Sequence, residues 1–424
     1  ENARTFIAFD PLFTVKKVRD GLEYSDRESN KLIQEIGSNI HFRLHELFHS
    51  LIVVSGSPGE CSGFFGYTSF ESANYFDPYQ EEMISNNEIP EMMYRFFRFV
   101  ICIDHFQNHA YLIEHRPDQD TSQIDDVLKL IERPNGCCHD FFLQGEEFSY
   151  LSDNDFIQLV EKAKAHCYRG DVFQLVLSRR FTREVGGDDF AFYRSLRSVS
   201  PSPYLFYFDM GDFRLMGSSP EAQLLVKNGK AEIHPIAGTF RRTGNDEKDR
   251  ALATELLRDE KETAEHIMLV DLARNDLSKN GTQVKVDQLM EAQYYSHVIH
   301  LVSRVSAVVD DNSNAVQLFA DTFPAGTLSG APKHRALQLI ARYEPHQRGF
   351  YGGAIGFFGL DGSVKHAIMI RSVLSKDGKF HYQAGAGVVA ASDPKNELQE
   401  VNNKLSAIRS ALKQACSIPE SIEL

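Results

Sequence analysis

Beyond Gly170 the chain strings extended apolar runs together with few helices between them: "VFQLVLSRRF", "YLFYFDM", "RLMGSS", "AQLLVKN" and "KAEIHPIAG". Parallel neighbours in a sheet need long crossover connections, usually helical, whereas antiparallel neighbours need only a turn. Strands and helices intermix here without regular strand–helix–strand alternation. The expected fold is therefore α+β, with large antiparallel sheets packed face to face and helices outside, rather than a doubly wound sheet.

The rest of the chain fits that expectation. Residues 1 to about 110 alternate extended runs ("RTFIAF", "HSLIVV", "FRFVICID", "HAYLIEH") with helix-like polar stretches such as "SDRESNKLIQEIGSNI". Between 114 and 152 the composition turns to Pro, Asp, Asn and Gly, which reads as a linker or a long surface excursion. Ser152 before "DNDFIQLVEKAKAHCYR" and Gly170 after it are cap residues for a helix. One long helical segment is expected over about 246–278, another at "APKHRALQLIARYE", then three strands and a closing helix. These shifts suggest an N-terminal subdomain over 1–150 and a core over 151–418.

Composition excludes several partners. With a net charge of −14 and no long Lys/Arg block, the chain offers no stripe to track nucleic-acid phosphates. No apolar run approaches the roughly 20 residues needed to span a bilayer. Six cysteines (Cys61, Cys102, Cys137, Cys138, Cys167, Cys416) show no C-x-x-C pairing. In a chain of 424 residues they read as reduced thiols of a cytoplasmic protein, not a disulfide frame or a zinc site. The chain opens at "ENARTFIAFDP" without Met and already in a strand-like pattern, which leaves room for a preceding segment, a targeting sequence included.

Two helical stretches carry acids three apart. In "EKETAEHIMLVDLARNDLSK" Glu262 and Glu265 share a face, and Asp271 and Asp276 follow; in "DPKNELQEVNNK" Glu397 and Glu400 repeat the pattern, with Lys404 four residues on. As solvated faces these would be ordinary surface pairs, worth a few tenths of a kcal/mol. As a convergent set they could hold one hard divalent cation, Mg2+, which takes few carboxylates and leaves positions open for an anionic substrate. Glycine-rich stretches at strand ends ("PIAGTFRRTG", "FPAGTLSGAPK", "RGFYGGAIGFF", "AGAGVV") are either tight turns or places where backbone N–H groups meet carboxylates. None matches a P-loop, a G-x-S-x-G elbow or a G-x-G-x-x-G fingerprint. His297 and His300 sit in a strand-like run, and Arg371, amid apolar residues, requires a buried anion.

"SPE" (219–221), "PIAGT" (235–239), "KETAEHIMLVDLARND" (261–276), "HLVSRV" (300–305), "FPAGTLSGAPK" (323–333), "YGGAIGF" (351–357), "IMIRSV" (368–373) and "GAGVVAASDPKNELQEVNNK" (385–404) stand in the order found in chorismate-utilising enzymes. The chain resembles that family densely over about 150–415, and within it most resembles the anthranilate synthase component I branch. The resemblance implies that Glu265 and Glu400 ligate Mg2+, with Glu262 and Glu397 supporting through water. It implies that Lys404, Arg371, Tyr351 and the Gly385 and Gly387 amides hold the carboxylates of chorismate, near Gly238, Thr239 and Thr327. Glu221 would be the general acid that lets the C4 hydroxyl leave as ammonia adds at C2, and His300 would serve the elimination of pyruvate. Gln174 stands where water-adding relatives carry lysine, and Ala237 where aminodeoxychorismate synthases carry lysine, so both favour anthranilate.

Further expectations come from the resemblance alone. Ammonia would come from a separate glutamine amidotransferase subunit (component II), in a homodimer or heterotetramer. Tryptophan would inhibit through Pro203, Tyr204 and Leu205 of "SPSPYLF", together with a Leu-Leu-Glu-Ser element that lies before the first residue of this sequence, so that the 1–150 region would share the regulatory site. The rivals are aminodeoxychorismate synthase component I, on the folate route, and a catalytically silent sensor. The silent sensor should have lost an acid, base or metal ligand, yet Glu221, His300, Glu265 and Glu400 are all present.

Overall fold

Strand Met92–Asp104 is buried or half-buried at all 13 of its positions and pairs along both edges within the first sheet. One edge pairs with Arg4–Val18, the other with Gly63–Thr68 and then with His109–Glu114. The computed structural model describes residues 3–18, 21–26, 30–34, 40–50, 61–79, 89–116, 120–133, 140–294, 298–310 and 314–416.

Among these residues the first sheet has thirteen strands. It runs from Asn30–Gln34 through Gly21–Ser25, Arg4–Val18, Met92–Asp104 and Gly63–Thr68, then crosses to Ala354–Gly359, Val364–Ile368, Ala222–Lys227, Lys230–Ile233 and Val298–Val308. Ile236–Arg241 and Thr282–Tyr294 also pair with Val298–Val308. Gly63–Thr68 is buried along its whole length because strands from opposite ends of the chain close on it. The second sheet orders Gly330–Ala331, Gln174–Gly187, Lys379–Val388, Ser372–Lys376, Phe213–Ser219 and Tyr204–Asp209, with Phe141–Ser149 also on Gln174–Gly187. The pairings in both sheets are antiparallel.

The sheets pack face to face. Tyr67, Met93, Ile355 and Ile368 from the first meet Phe206, Phe213, Leu215 and Leu374 from the second in one cluster. Helices Asp153–Arg169, Asp189–Val199 and Pro394–Ala415 pack on the second sheet. In the last of these Val401, Leu405, Ile408 and Leu412 are buried at spacings of four, three and four, one stripe of a 3.6-residue helix. Each such aliphatic side chain contributes roughly 1.5–3 kcal/mol by leaving water. Asp393 caps its start, accepting N–H bonds from Lys395 and Asn396 at 3.1 and 3.0 Å.

The antiparallel α+β expectation holds, and so does the Ser152–Gly170 helix, with Ser152 and Asp155 forming a reciprocal cap and Gly170 left-handed at φ 78°. Three local readings do not hold. The stretch taken as helical after residue 25 contains strand Asn30–Gln34, because pairing with Gly21–Ser25 outweighs weak helical periodicity. The supposed linker contains helix Ile124–Ile131 and strand Phe141–Ser149, the latter extending the second sheet. The helical segment 246–278 is two helices, Asp246–Arg258 and Glu260–Ser278, divided at extended Asp259. The run expected at 51–54, His297, Cys137 and Cys138 lie outside the described residues.

Candidate active site

The break at Asp259 sets the start of the first acidic helix. Its carboxylate accepts the Glu262 N–H at 3.0 Å and so caps Glu260–Ser278. One turn on, fully buried His266 is 2.6 Å from Ser303 Oγ, which also accepts the Met290 N–H at 2.9 Å. That node pins the helix to strand Val298–Val308, which carries His300. Burial without a counter-charge lowers the His266 pKa to about 4, so the ring is neutral at ordinary pH.

Glu265 reaches the glycine strand Lys379–Val388. Gln174 Nε2 donates to Glu265 Oε1 at 2.5 Å. A Cβ on Gly387 would lie 2.5 Å from Gln174 Nε2 and 3.5 Å from Glu265 Oε1, so only glycine leaves room for this contact. Two residues earlier and on the same strand face, Gly385 O accepts from Lys404 Nζ at 2.8 Å, and Lys404 pairs with Glu400 at 2.7 Å. Gly385 and Gly387, about 7 Å apart along the strand, thus connect to Glu400 through Lys404 and to Glu265 directly. Buried Tyr351 has its hydroxyl beside Gly385, and burial pushes its pKa well up.

Glu262, Glu265, Glu397 and Glu400 offer only hard oxygen donors, the chemistry that suits Mg2+. Glu397 is buried, and Glu400 is 47% exposed at its side chain. Among the described residues no three His, Cys, Asp or Glu side chains stand close enough to hold a metal unaided. A cation held by these residues would need further ligands from water or from an anionic substrate.

Glu221 lies 7% exposed where strand Phe213–Ser219 ends. Thr327 Oγ1 donates to its Oε1 at 3.0 Å. Burial raises the Glu221 pKa to about 8, against the smaller pull of the Thr327 hydrogen bond and the Lys404 charge. The carboxyl is accordingly protonated at neutral pH.

His300 Nδ1 is 2.9 Å from Gly238 O. A carbonyl only accepts, so Nδ1 carries the proton and Nε2 the basic lone pair. Burial lowers the ring's pKa, and the charges of Arg371 and Lys404 lower it further, partly offset by the Gly238 hydrogen bond. Gly238 has a φ of 69°, and a Cβ there would approach Glu262 Oε2 to 3.2 Å. Arg371 is also left-handed, at φ 48°; its carbonyl accepts the Ser218 N–H at 3.1 Å, its half-buried guanidinium makes no side-chain hydrogen bond or ion pair among the described residues, and burial lowers its pKa. A guanidinium in that setting can receive an anion.

Most of the expected residues thus converge: Glu221, Thr327, His300, Gly238, Arg371, Lys404, Tyr351, Gly385, Gly387, Glu265 and Glu400 are linked by contact or by electrostatic influence. The Thr239 backbone pairs with His300, while its side chain lies outside the described residues. Pro203, Tyr204 and Leu205 are elsewhere, at the edge strand of the second sheet, with Pro203 and Leu205 exposed. Tyr204 is nonetheless in register with Ser219, two residues before Glu221.

Sequence reasoning missed the buried framework behind the pocket. Arg348, 1% exposed, donates to Glu344 at 2.6 and 2.8 Å, to Leu328 O at 2.6 Å and to Val176 O at 2.8 Å. Glu71 accepts the Arg348 and Gly349 N–H groups at 2.6 and 3.0 Å, and burial raises its pKa to about 7. Arg348 thereby ties the Thr327–Leu328 turn to Tyr351, three residues on. An arginine beside the glycine-aromatic run "GFYGG" was the available signal. His266, inside an apolar helical stretch, was another.

Residues 19–410 match the chorismate binding enzyme family. The chain belongs to this family. It is 38% identical to anthranilate synthase component 1 of Geobacillus stearothermophilus over 447 residues, covering 97% of this chain and 86% of that protein. It is 35% identical to aminodeoxychorismate synthase component 1 of Bacillus subtilis, covering 95% of this chain and 88% of that one. The crystal structure of anthranilate synthase component I from Streptococcus pneumoniae superposes with a TM-score of 0.86 at 33% identity, over 96% of this chain and 92% of that one. Among the described residues no helix is long and apolar enough to cross a membrane.

Proposed function

We propose that the chain is the synthase subunit that converts chorismate and ammonia into anthranilate, pyruvate and water, the first step of tryptophan biosynthesis. The observation that carries this reading is Glu221, a carboxyl kept protonated by burial and oriented by Thr327. Hydroxide is a poor leaving group, and a neutral acid with a pKa of about 8 can protonate the C4 hydroxyl as it departs. Ammonia adds at C2 in the same step. Neutral His300 then accepts the C2 proton at Nε2 as pyruvate is eliminated and the ring becomes aromatic. Arg371 and Lys404 face the site as cations for the substrate's carboxylates.

Glu265 and Glu400 would hold Mg2+, with Glu262 and Glu397 behind them. When bound, the cation neutralises a substrate carboxylate and fixes the ring's orientation. Gln174 supports the choice of ammonia over water: its amide is occupied by Glu265, and a lysine there would place an ammonium against the same carboxylate. Ala237, on the strand paired with Val298–Val308, adds no lysine to the site. A separate glutamine amidotransferase subunit would supply ammonia, the assembly being a homodimer or heterotetramer. Tryptophan would act through the edge strand that begins at Tyr204, whose register partner Ser219 leads directly to Glu221.

The test is anthranilate fluorescence from purified chain with chorismate, Mg2+ and excess ammonium, with and without tryptophan. Fluorescent product supports the reading. Chorismate consumed to a non-aromatic amine would favour aminodeoxychorismate synthesis, consistent with the Bacillus subtilis relative. Untouched chorismate would reject both.

A further inference from the structure

Two thiols that the proposed reaction does not use lie against each other inside the first sheet. Cys61 Sγ and Cys102 Sγ are 2.8 Å apart, and their residues are 2% and 1% exposed. Unbonded carbon atoms settle roughly 3.5–4.0 Å apart, and sulfur is larger than carbon. A disulfide holds its sulfurs at about 2.05 Å. The pair stands between these limits, closer than unbonded sulfurs settle and short of a bond.

Their position gives such a bond a mechanical consequence. Along one edge of Met92–Asp104 the neighbour changes: Gly63–Thr68 pairs as far as Phe96, and His109–Glu114 takes over from Phe99. No continuous ladder crosses that seam. It is closed by side chains, with His115 lying 2.8 Å from both Ser62 Oγ and Phe97 O. Cys61 precedes Ser62 at the same seam, and Cys102 lies on the central strand opposite Phe6 and Tyr111. The other described thiols are placed differently: Cys167 donates to Val388 O at 3.5 Å, and Cys416 is exposed beyond the last helix.

We propose that Cys61 and Cys102 are a site of reversible disulfide formation, a covalent staple across the seam between the strands of the first sheet. The site is independent of the enzymatic reading above. The oxidant is a small-molecule disulfide such as glutathione disulfide. One cysteine thiolate attacks its S–S bond and releases one glutathione thiolate, leaving a mixed disulfide. The second cysteine thiolate then attacks the mixed disulfide, forms the Cys61–Cys102 bond and releases the other glutathione thiolate. The two cysteine protons pass to the two glutathione thiolates, and two electrons pass from the cysteine pair to the oxidant. Because both thiols are buried, the reaction proceeds through local opening of the seam.

The experiment oxidises the folded chain with glutathione disulfide until exposed Cys416 is fully modified, alkylates under denaturing conditions, and maps the peptides by mass spectrometry. The expected result is a Cys61–Cys102 cross-linked peptide that disappears on reduction. The bond spans 41 residues of sequence, and the oxidised chain should unfold roughly 5 °C higher than the reduced one. Cys61→Ala and Cys102→Ala should each abolish both the peptide and the shift. Recovery of Cys61 and Cys102 as alkylated monomers after that treatment overturns the proposal, as does linkage of either to another cysteine. The peptide map of the parent decides the question even if a variant fails to fold.

Discussion

Glu221 and Glu400 carry the same carboxyl group in very different surroundings. Glu221 is buried, has only a threonine hydroxyl for company and holds its proton up to about pH 8. Glu400 is 47% exposed and ion-paired with Lys404 at 2.7 Å. Lys404 influences both, pairing with one and lowering the pKa of the other by its charge. Desolvation wins at Glu221 because no counter-charge touches it, whereas Glu400 stands half in water against the Lys404 ammonium. Two side chains of the same residue type thus occupy a dry setting and a wet one.

Breaking the acid half should have the largest effect. Glu221→Gln keeps the shape but carries no transferable proton, and kcat for anthranilate should fall roughly 1,000-fold with KM for chorismate little changed. A rate within tenfold of the parent would end its assignment as the acid. On the anionic side, Glu400→Gln or Glu265→Gln should raise the Mg2+ concentration needed for half-maximal activity roughly 100-fold, and calorimetry should show the same loss of Mg2+ binding. Glu221→Gln should bind Mg2+ like the parent; if all three variants lose the metal alike, the division between the two carboxyls is wrong.

A pH profile sharpens the contrast. Since Glu221 must be protonated, kcat/KM normalised to free ammonia should fall tenfold per unit above about pH 8. A flat profile to higher pH would contradict the raised pKa. The sign for stability is the same. A folded pKa of about 8 against 4.5 in the unfolded chain means that Glu221 favours the fold fully below pH 4.5 and loses that contribution as pH rises through 8. Thermal unfolding of the parent should therefore decline more steeply between pH 5 and 9 than that of Glu221→Gln, a range that spans the same shift. The smallest effect belongs to Thr327→Val. It removes a hydrogen bond that lowers the Glu221 pKa, so the alkaline limb should move upward by a fraction of a unit. Movement downward would mean that Thr327 serves the neutral acid instead.

The sequence by itself determined the fold class, through strand-like runs without intervening helices, and the capped helix at Ser152–Gly170, because both signals are local. It also determined which residues could carry the chemistry, since Glu262, Glu265, Glu397 and Glu400 repeat at helical spacing and Glu221, His300 and Arg371 sit in ordered motifs. Local pattern failed at Asn30–Gln34 and across 114–152, where the state of a short segment depends on pairing with another strand: the neighbouring Gly21–Ser25 in the first case, Gln174–Gly187 beyond a helix in the second. Tertiary structure alone decided what each group became. Burial, which is a property of neighbours rather than of spacing, raised the pKa of Glu221 and left Glu400 half-exposed beside Lys404. It also placed Gln174 on Glu265, His266 on Ser303 and Arg348 between Glu344 and the Leu328 carbonyl. Those contacts join residues 20 to 91 positions apart in three cases, with only Arg348–Glu344 within one helical turn. Desolvation and hydrogen bonding act across such distances only after the sheets have closed.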